Sequence, residues 1–319
     1  MRGVNGLHHI TAIAGPAQEN LDFYAGVLGM RLVKRSVNQD DPGTYHLFYA
    51  DAEGHPGSDL TFFPWAQMAP ARPGYGPGDG SRARSAGGQP RLLGRAAAAL
   101  RHHAWRRRGP GSATRCSPFA DPHGLRVALV ERQAGRRFTP WDGSPVPPER
   151  QIRGLHGAQL WERNASATAR FLTTVLGFQL LATEGGWSRY GFPDTAGVVD
   201  LRDAPEARRG GWGIGSVHHL AWRVDDERAS GARCGRGSAA AGAQPTPVID
   251  RFWFKSVYFK EPGGVLFELA TDGPGFAVDE DAAHLGETLV LPPWLEAQRD
   301  AIERALPPLS FATPAHARS

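Results

Sequence analysis

No run of 18 apolar residues occurs in this 319-residue sequence, so nothing in it reads as a helix spanning a membrane. The opening MRGVNGLHHI lacks the apolar core of a secretory signal. Cysteine is scarce: Cys116 and Cys234 are too few for a disulfide framework. The expected compartment is a reducing cytoplasm. An excess of one charge is also missing. The formal net charge is +4, and the arginines are dispersed outside one segment, which argues against a nucleic-acid partner. What is plentiful is glycine and proline, 40 and 26 residues, as in turn-rich β structure. The length allows a large core and two domains of ordinary size.

The organising signal is an internal repeat. Residues 6–33, GLHHITAIAGPAQENLDFYAGVLGMRLV, align with residues 154–181, GLHGAQLWERNASATARFLTTVLGFQLL. Gly-Leu-His, a Phe, Val-Leu-Gly and a closing leucine coincide. Gly157 stands where His9 stands, so the fold does not require that histidine, which makes His9 a functional candidate. The first copy reads as a strand (His9 to Ile13) and an amphipathic helix (Ala17 to Val27) closed by Gly29. Strands 31–37 and 43–50 follow around a DDPG turn, then Asp59 to Phe63, closed by Pro64. Trp187 to Phe192 and Gly197 to Leu201 supply strands to the second copy. Pro118 to Glu131 reads as the end of another unit, and residues 217–271 as a further one. The expected fold is α+β, with four βαβββ units paired into two domains, 6–132 and 152–275. Residues 133–151, containing PWDGSPVPPE, are the linker. A tail, 276–319, holds a short amphipathic helix in PPWLEAQRDAIERALPPL.

Two stretches break the pattern. Residues 81–115 carry nine arginines and almost no apolar periodicity where a strand and a helix are due; residues 229–240 also replace a helix. They read as basic loops or as text translated out of frame, since a one-base slip can restore helix-like spacing. Such Arg/Gly/Ala-rich segments are expected to be poorly packed, because they bury too little apolar surface to offset their ordering entropy.

The chemistry concentrates between Ser216 and Asp272. In SVHHLAWRV, strand alternation places His219, Ala221 and Arg223 on one face and His218 on the other. Arg251 to Lys260 reads as a strand, Glu261-Pro262-Gly263-Gly264 as a turn and Val265 to Ala270 as a buried strand. Glu268 lies in that apolar strand. A buried carboxylate costs several kcal/mol unless paired or metal-bound, so Glu268 needs a partner: the histidines, or Arg223 or Arg251. His9 and His219 occupy equivalent places in two units, each expected on the concave face of its own sheet. Two imidazoles and one carboxylate suit non-haem Fe(II) with positions left open. A structural zinc would close with four ligands, usually including Cys. His46, His55, His123, His156 and His284 read as structural or surface residues, and His102 and His103 are given no role.

These segments carry a resemblance. GLHHITAI, VNQDDPGTYHLFYAD, LTFFPW, GSVHHLAWRV and PVIDRFWFKSVYFKEPGGVLFELATDGPGF resemble the vicinal oxygen chelate superfamily, and within it the ring-cleaving dioxygenases that open hydroquinones. The resemblance spans nearly the whole chain apart from the two odd stretches. It implies glyoxalase-like domains and Fe(II), with Mn(II) left open, held by His9, His219 and Glu268. It also implies that Tyr258 acts as acid/base and hydrogen-bond donor and that Arg251 stabilises anionic substrate. His8 and Thr11 would line the site, with His8 able to move protons. The partners would be a small dihydroxylated aromatic and O₂, and a homo-oligomer is compatible. A glyoxalase-type lyase shares the fold but takes a fourth carboxylate ligand from the strand that here reads DLTFFPW, which has none near Thr61 or Phe62. A metal-free small-molecule-binding protein of the same fold has no use for the three ligands together.

Overall fold

The computed structural model describes residues 4–76, 116–131, 137–225 and 244–311, and the backbone of 82–87. The helices due in 88–115 and 229–240, the out-of-frame reading, His102, His103 and Cys234 lie outside the described residues.

The first unit contributes β1 (Leu7–Ala14), β2 (Arg31–Asn38), β3 (Asp41–Ala50) and β4 (Asp59–Pro64). Between β1 and β2 runs the helix α1 (Ala17–Leu21), which widens into a π-helical turn over Asp22–Val27. That turn lets Leu21, Phe23 and Tyr24 all reach the core, and Gly29 ends it at φ 71°. The second unit contributes β5 (Arg82–Gly87), β6 (Cys116–Ala120) and β7 (Arg126–Val130). The third has β8 (Ile152–Glu162), α2 (Ala165–Thr174), β9 (Gln179–Glu184), β10 (Trp187–Gly191) and β11 (Val198–Asp203). The fourth has β12 (Val217–Val224), β13 (Ile249–Asp250), β14 (Lys255–Lys260) and β15 (Leu266–Thr271). A short helix, α3 (Arg299–Ala305), lies near the end of the described chain.

Two sheets result, with strand orders β13-β14-β15-β12-β1-β4-β3-β2 and β6-β7-β5-β8-β11-β10-β9. Each joins a unit from one half of the chain to a unit from the other, through the antiparallel pairs β1·β12 and β5·β8. His9 and His219 therefore do not face each other from separate sheets, as sequence reading expects. Their strands lie side by side. The apolar core is continuous across both halves, with Tyr24, Phe62, Leu160, Phe171, Trp222 and Phe267 in one cluster. Burying each such side chain contributes about 1.5–3 kcal/mol.

Two turns differ from expectation, and both bear on the site. β3 already begins at Asp41, so the β2–β3 turn is Gln39-Asp40, where Asn38 Oδ1 accepts from the Asp40 amide at 3.0 Å. The stretch from Arg251 to Lys260 is not one strand. The chain breaks at Arg251–Phe254, where Asp250 Oδ1 accepts from the Phe252 amide at 2.8 Å and Phe252 has φ 73°. Arg251 thus sits at a corner, not on a pleat.

Candidate metal centre

His9 on β1, His219 on β12 and Glu268 on β15 meet because those three strands are adjacent. Glu268 Oε2 lies 3.2 Å from His9 Nε2 and 2.9 Å from His219 Nε2, and the two Nε2 atoms are 3.1 Å apart. All three side chains are buried; Glu268 is 0 % exposed. Arg223 and Arg251, the other candidate partners of Glu268, pair instead with Asp272 and Asp40.

The donor set fits a cation. Two imidazole nitrogens and a carboxylate oxygen converge within 4.8 Å of one another, all of them buried. The other oxygen, Oε1, accepts from Ser256 Oγ, which orients the carboxylate. Burial pushes Glu268 up, but the facing imidazoles outweigh it and hold the carboxyl well below its usual range. Burial lowers His9, but Glu268 overrides it and its net shift is upward. Burial keeps His219 below the ordinary value.

Behind each of these imidazoles stands another. His8 Nδ1 is 2.8 Å from His9 Nδ1, and His218 Nδ1 is 2.8 Å from His219 Nδ1. Strand parity alone turns His218 to the far face; the register corrects this. β1 holds one extra residue between the pairs Leu7–Trp222 and His9–Ala221, namely His8. β12 holds one between Thr11–His219 and Ala12–Val217, namely His218. Both are β-bulges, which re-aim the side chain that straight alternation would turn away. Burial pushes His8 and His218 down to about 3, so both are neutral.

The remaining expected residues surround this cluster. Thr11 Oγ1 is 2.8 Å from His219 Nε2. Tyr258 pairs across from Glu268, and its ring meets His219 edge-on at 5.6 Å. Burial, with Glu268 nearby, pushes the Tyr258 phenol up. Arg251 lies over the Tyr258 ring at 5.3 Å, and its Nη2 donates to Asp40 Oδ2 at 2.8 Å. Phe254 packs on His8 and His9 at 5.2 and 5.4 Å.

The two-fold relation of β1 and β12 identifies the opposite corner. Thr11 pairs with His219 as Ala221 pairs with His9. Glu268 lies beside Ala221, so its counterpart lies beside Thr11, and that residue is Thr61. A hydroxyl, not a carboxylate, therefore stands at the fourth corner. The second sheet carries no such cluster at its matching places: Gly157 replaces His9 and Ala128 replaces Glu268. A Cβ on Gly157 would lie 2.3 Å from the Val198 carbonyl oxygen, so that position is closed by packing.

Comparison with known proteins gives this arrangement its setting. The sequence profile of the glyoxalase/bleomycin resistance protein/dioxygenase superfamily matches residues 6–129 and 154–269. The chain belongs to this superfamily. It is 42 % identical to a Bacillus subtilis (strain 168) protein provisionally named ring-cleaving dioxygenase MhqO, with 95 % of this chain and 96 % of that one covered. It is 30 % identical to the chlorohydroquinone/hydroquinone 1,2-dioxygenase of Sphingobium indicum, again over 95 % and 96 %. The crystal structure of a provisionally named dioxygenase from Bacillus subtilis superposes with a TM-score of 0.88 at 39 % identity, over 98 % of this chain and 99 % of that one. Glyoxalase I from Zea mays superposes at 0.60 with 16 % identity, over 84 % and 92 %, and shares the fold.

Within this superfamily member, sequence reading misses three residues that touch the cluster or its supports, Asp40, His46 and Ser256, and turns a fourth, His218, away on strand parity. His46 reads from the sequence as a structural or surface residue; in the structure its Nε2 is 2.9 Å from Thr61 Oγ1. Only the strand register shows its place. His46 precedes Phe48, the β3 residue beside Thr61, by two, as Ser256 precedes Tyr258, the residue beside Glu268.

Proposed function

We propose that this protein is an Fe(II)-dependent ring-cleaving dioxygenase acting on a hydroquinone-like dihydroxylated aromatic. The observation that carries the reading is the triangle of His9, His219 and Glu268 whose fourth corner is a threonine hydroxyl. Three donors with no fourth protein ligand are what a centre needs to admit both a ring hydroxyl and O₂. Among the described residues, no carboxylate stands at the corner where a lyase centre would take its fourth ligand. Bound at this triangle, Fe(II) would supply a redox-active ion with open positions. Mn(II) has similar donor preferences and is the alternative ion. The names of the relatives support the ring chemistry.

The protein's own groups then have definite work. Tyr258 stays protonated and can donate to an anionic ring oxygen. Arg251, fixed by Asp40 and lying over Tyr258, adds positive charge where negative charge would develop; such preorganised donors are worth most in a site closed to water. Neutral His8 and His218 accept at Nδ1 from the ligand imidazoles, which leaves Nε2 of His9 and His219 free to bind the ion. Phe254 covers the two β1 histidines and keeps water from that side.

Oxygen consumption tests the reading. Fe(II)-loaded protein, prepared without air, is expected to take up O₂ on addition of a substituted hydroquinone, and His219→Ala to abolish the uptake. Folded, iron-bound protein that consumes no oxygen with either a hydroquinone or a catechol would overturn the assignment.

A further inference from the structure

A line of polar groups leaves the centre on the side away from Glu268. Thr11 Oγ1 is 2.7 Å from Thr61 Oγ1, and Thr61 Oγ1 is 2.9 Å from His46 Nε2. Thr11 and Thr61 are buried, whereas His46 is partly exposed. Its ring is clamped between Phe48 and Phe63, with centroids at 3.8 and 4.4 Å. Each of the three groups can both give and take a hydrogen. The inner end is fixed by geometry: Thr11 Oγ1 lies 2.8 Å from His219 Nε2, the atom aimed at the proposed ion. Once that nitrogen's lone pair is engaged, the Thr11 hydroxyl can exchange hydrogens only with Thr61 or with whatever occupies the open corner.

We propose that Thr11, Thr61 and His46 form a proton relay from the open corner of the centre to solvent, with His46 as its outer terminus. The inference rests on the dioxygenase reading and adds the route by which the bound ring is ionised. The transfer balances without moving electrons. The ring hydroxyl gives its proton to Thr11 Oγ1, Thr11 passes its own to Thr61 Oγ1, and Thr61 passes its own to His46 Nε2. His46 releases a proton from Nδ1 to water, and the ring oxygen is left anionic. The other groups nearby are less suited. Tyr258 stands on β14 beside Glu268, across the centre from the open corner, and the described hydrogen bond of His8 ties its Nδ1 to His9. His46 acts through the two threonines and is thus a positioning and relay residue, not one that touches the ring.

The test reads ionisation of the ligand, not turnover. Nitrohydroquinone, whose anion is coloured, is mixed without oxygen with Fe(II)-loaded protein in a stopped-flow spectrometer. The parent protein is expected to develop the colour of the bound anion quickly. His46→Gln keeps a hydrogen bond to Thr61 but cannot take a proton, and is expected to slow the colour about a hundredfold. A purely structural His46 would leave the glutamine variant as fast as the parent. Iron titration of the variant comes first, to detect a collapsed site. In that event the same measurement uses Thr61→Val, expected to be slow, against Thr61→Ser, which keeps a hydroxyl and is expected to be fast. If the parent ionises the ring and His46→Gln or Thr61→Val matches it, the relay is wrong and the dioxygenase reading stands. If the parent never colours the ring, that reading fails and the relay falls with it.

Discussion

His9 and Glu268 form a buried pair in which the proton sits on the imidazole. Glu268 is held ionised, and the charge of Glu268 keeps a proton on His9 at pH values where a free imidazole has lost it. Any cation that takes this place must displace that proton. The sign follows: the proton competes more strongly as pH falls through the raised His9 value, so metal affinity should rise with pH and uptake should release a proton. Calorimetric titration with Fe(II) in two buffers of different ionisation enthalpy, between about pH 6 and 8, measures the release. Uptake without proton release across that range would show that His9 is not a ligand. These three residues were legible because each is conspicuous by itself: two His-His pairs, and one carboxylate in an apolar strand. His46 and Asp40 were not. Each is an ordinary polar residue in a β2–β3 hairpin, and only the neighbouring strands bring His46 to Thr61 and Asp40 to Arg251.

At the scale of elements, the paired β1 and β12 do what neither could do alone. Each carries one bulge, and each bulge residue is a histidine that backs the imidazole after it. A strand of perfect alternation would put His8 and His218 on the opposite face, out of reach. That is why parity misplaced His218: a bulge is set by pairing with the partner strand and leaves no mark on the strand's own period. The break at Arg251–Phe254 escaped notice for a similar reason, since RFWFKSVYF has the composition of a continuous strand. The bulge geometry predicts that His8→Ala and His218→Ala will each weaken metal binding by about 10- to 100-fold, because the ligand imidazole loses the contact that fixes its tautomer and direction. Competition with a chelator of known affinity measures it. If both variants bind as tightly as the parent, the Nδ1 contacts do not support the centre.

At the scale of the molecule, the two units of each half lie in different sheets, so each half of the chain needs a joint between them. In the first half, Tyr24 of the helical segment donates to Asp121 Oδ2 of the β6–β7 turn at 3.0 Å, and His123 of that turn packs on Gly15. In the second, Thr168 of α2 donates to Glu261 Oε2 of the β14–β15 turn at 2.6 Å, and Glu162 at the end of β8 packs on Gly263. The plan is the same, but the second joint holds two carboxyl groups. Among the described residues neither oxygen of Glu162 has a hydrogen-bond partner, and its side chain is fully buried. Burial first, and the charge of Glu261 second, push Glu162 up to about 9. The folded protein therefore binds this proton more tightly than the unfolded chain, whose carboxyl titrates near its ordinary value. Its contribution to stability is greatest below that ordinary value and is lost as pH rises from there through about 9. Glu162→Gln removes the ionisable group while nearly keeping its shape. It should raise the melting temperature at alkaline pH, change it little in acid, and flatten the decline between. Comparing the two proteins directly separates this effect from Asp59, whose carboxyl burial also pushes up, to about 7. Thermal unfolding of both across that pH span decides the matter. Parallel curves would mean that Glu162 finds a charge partner and that the joint is not strained by its ionisation.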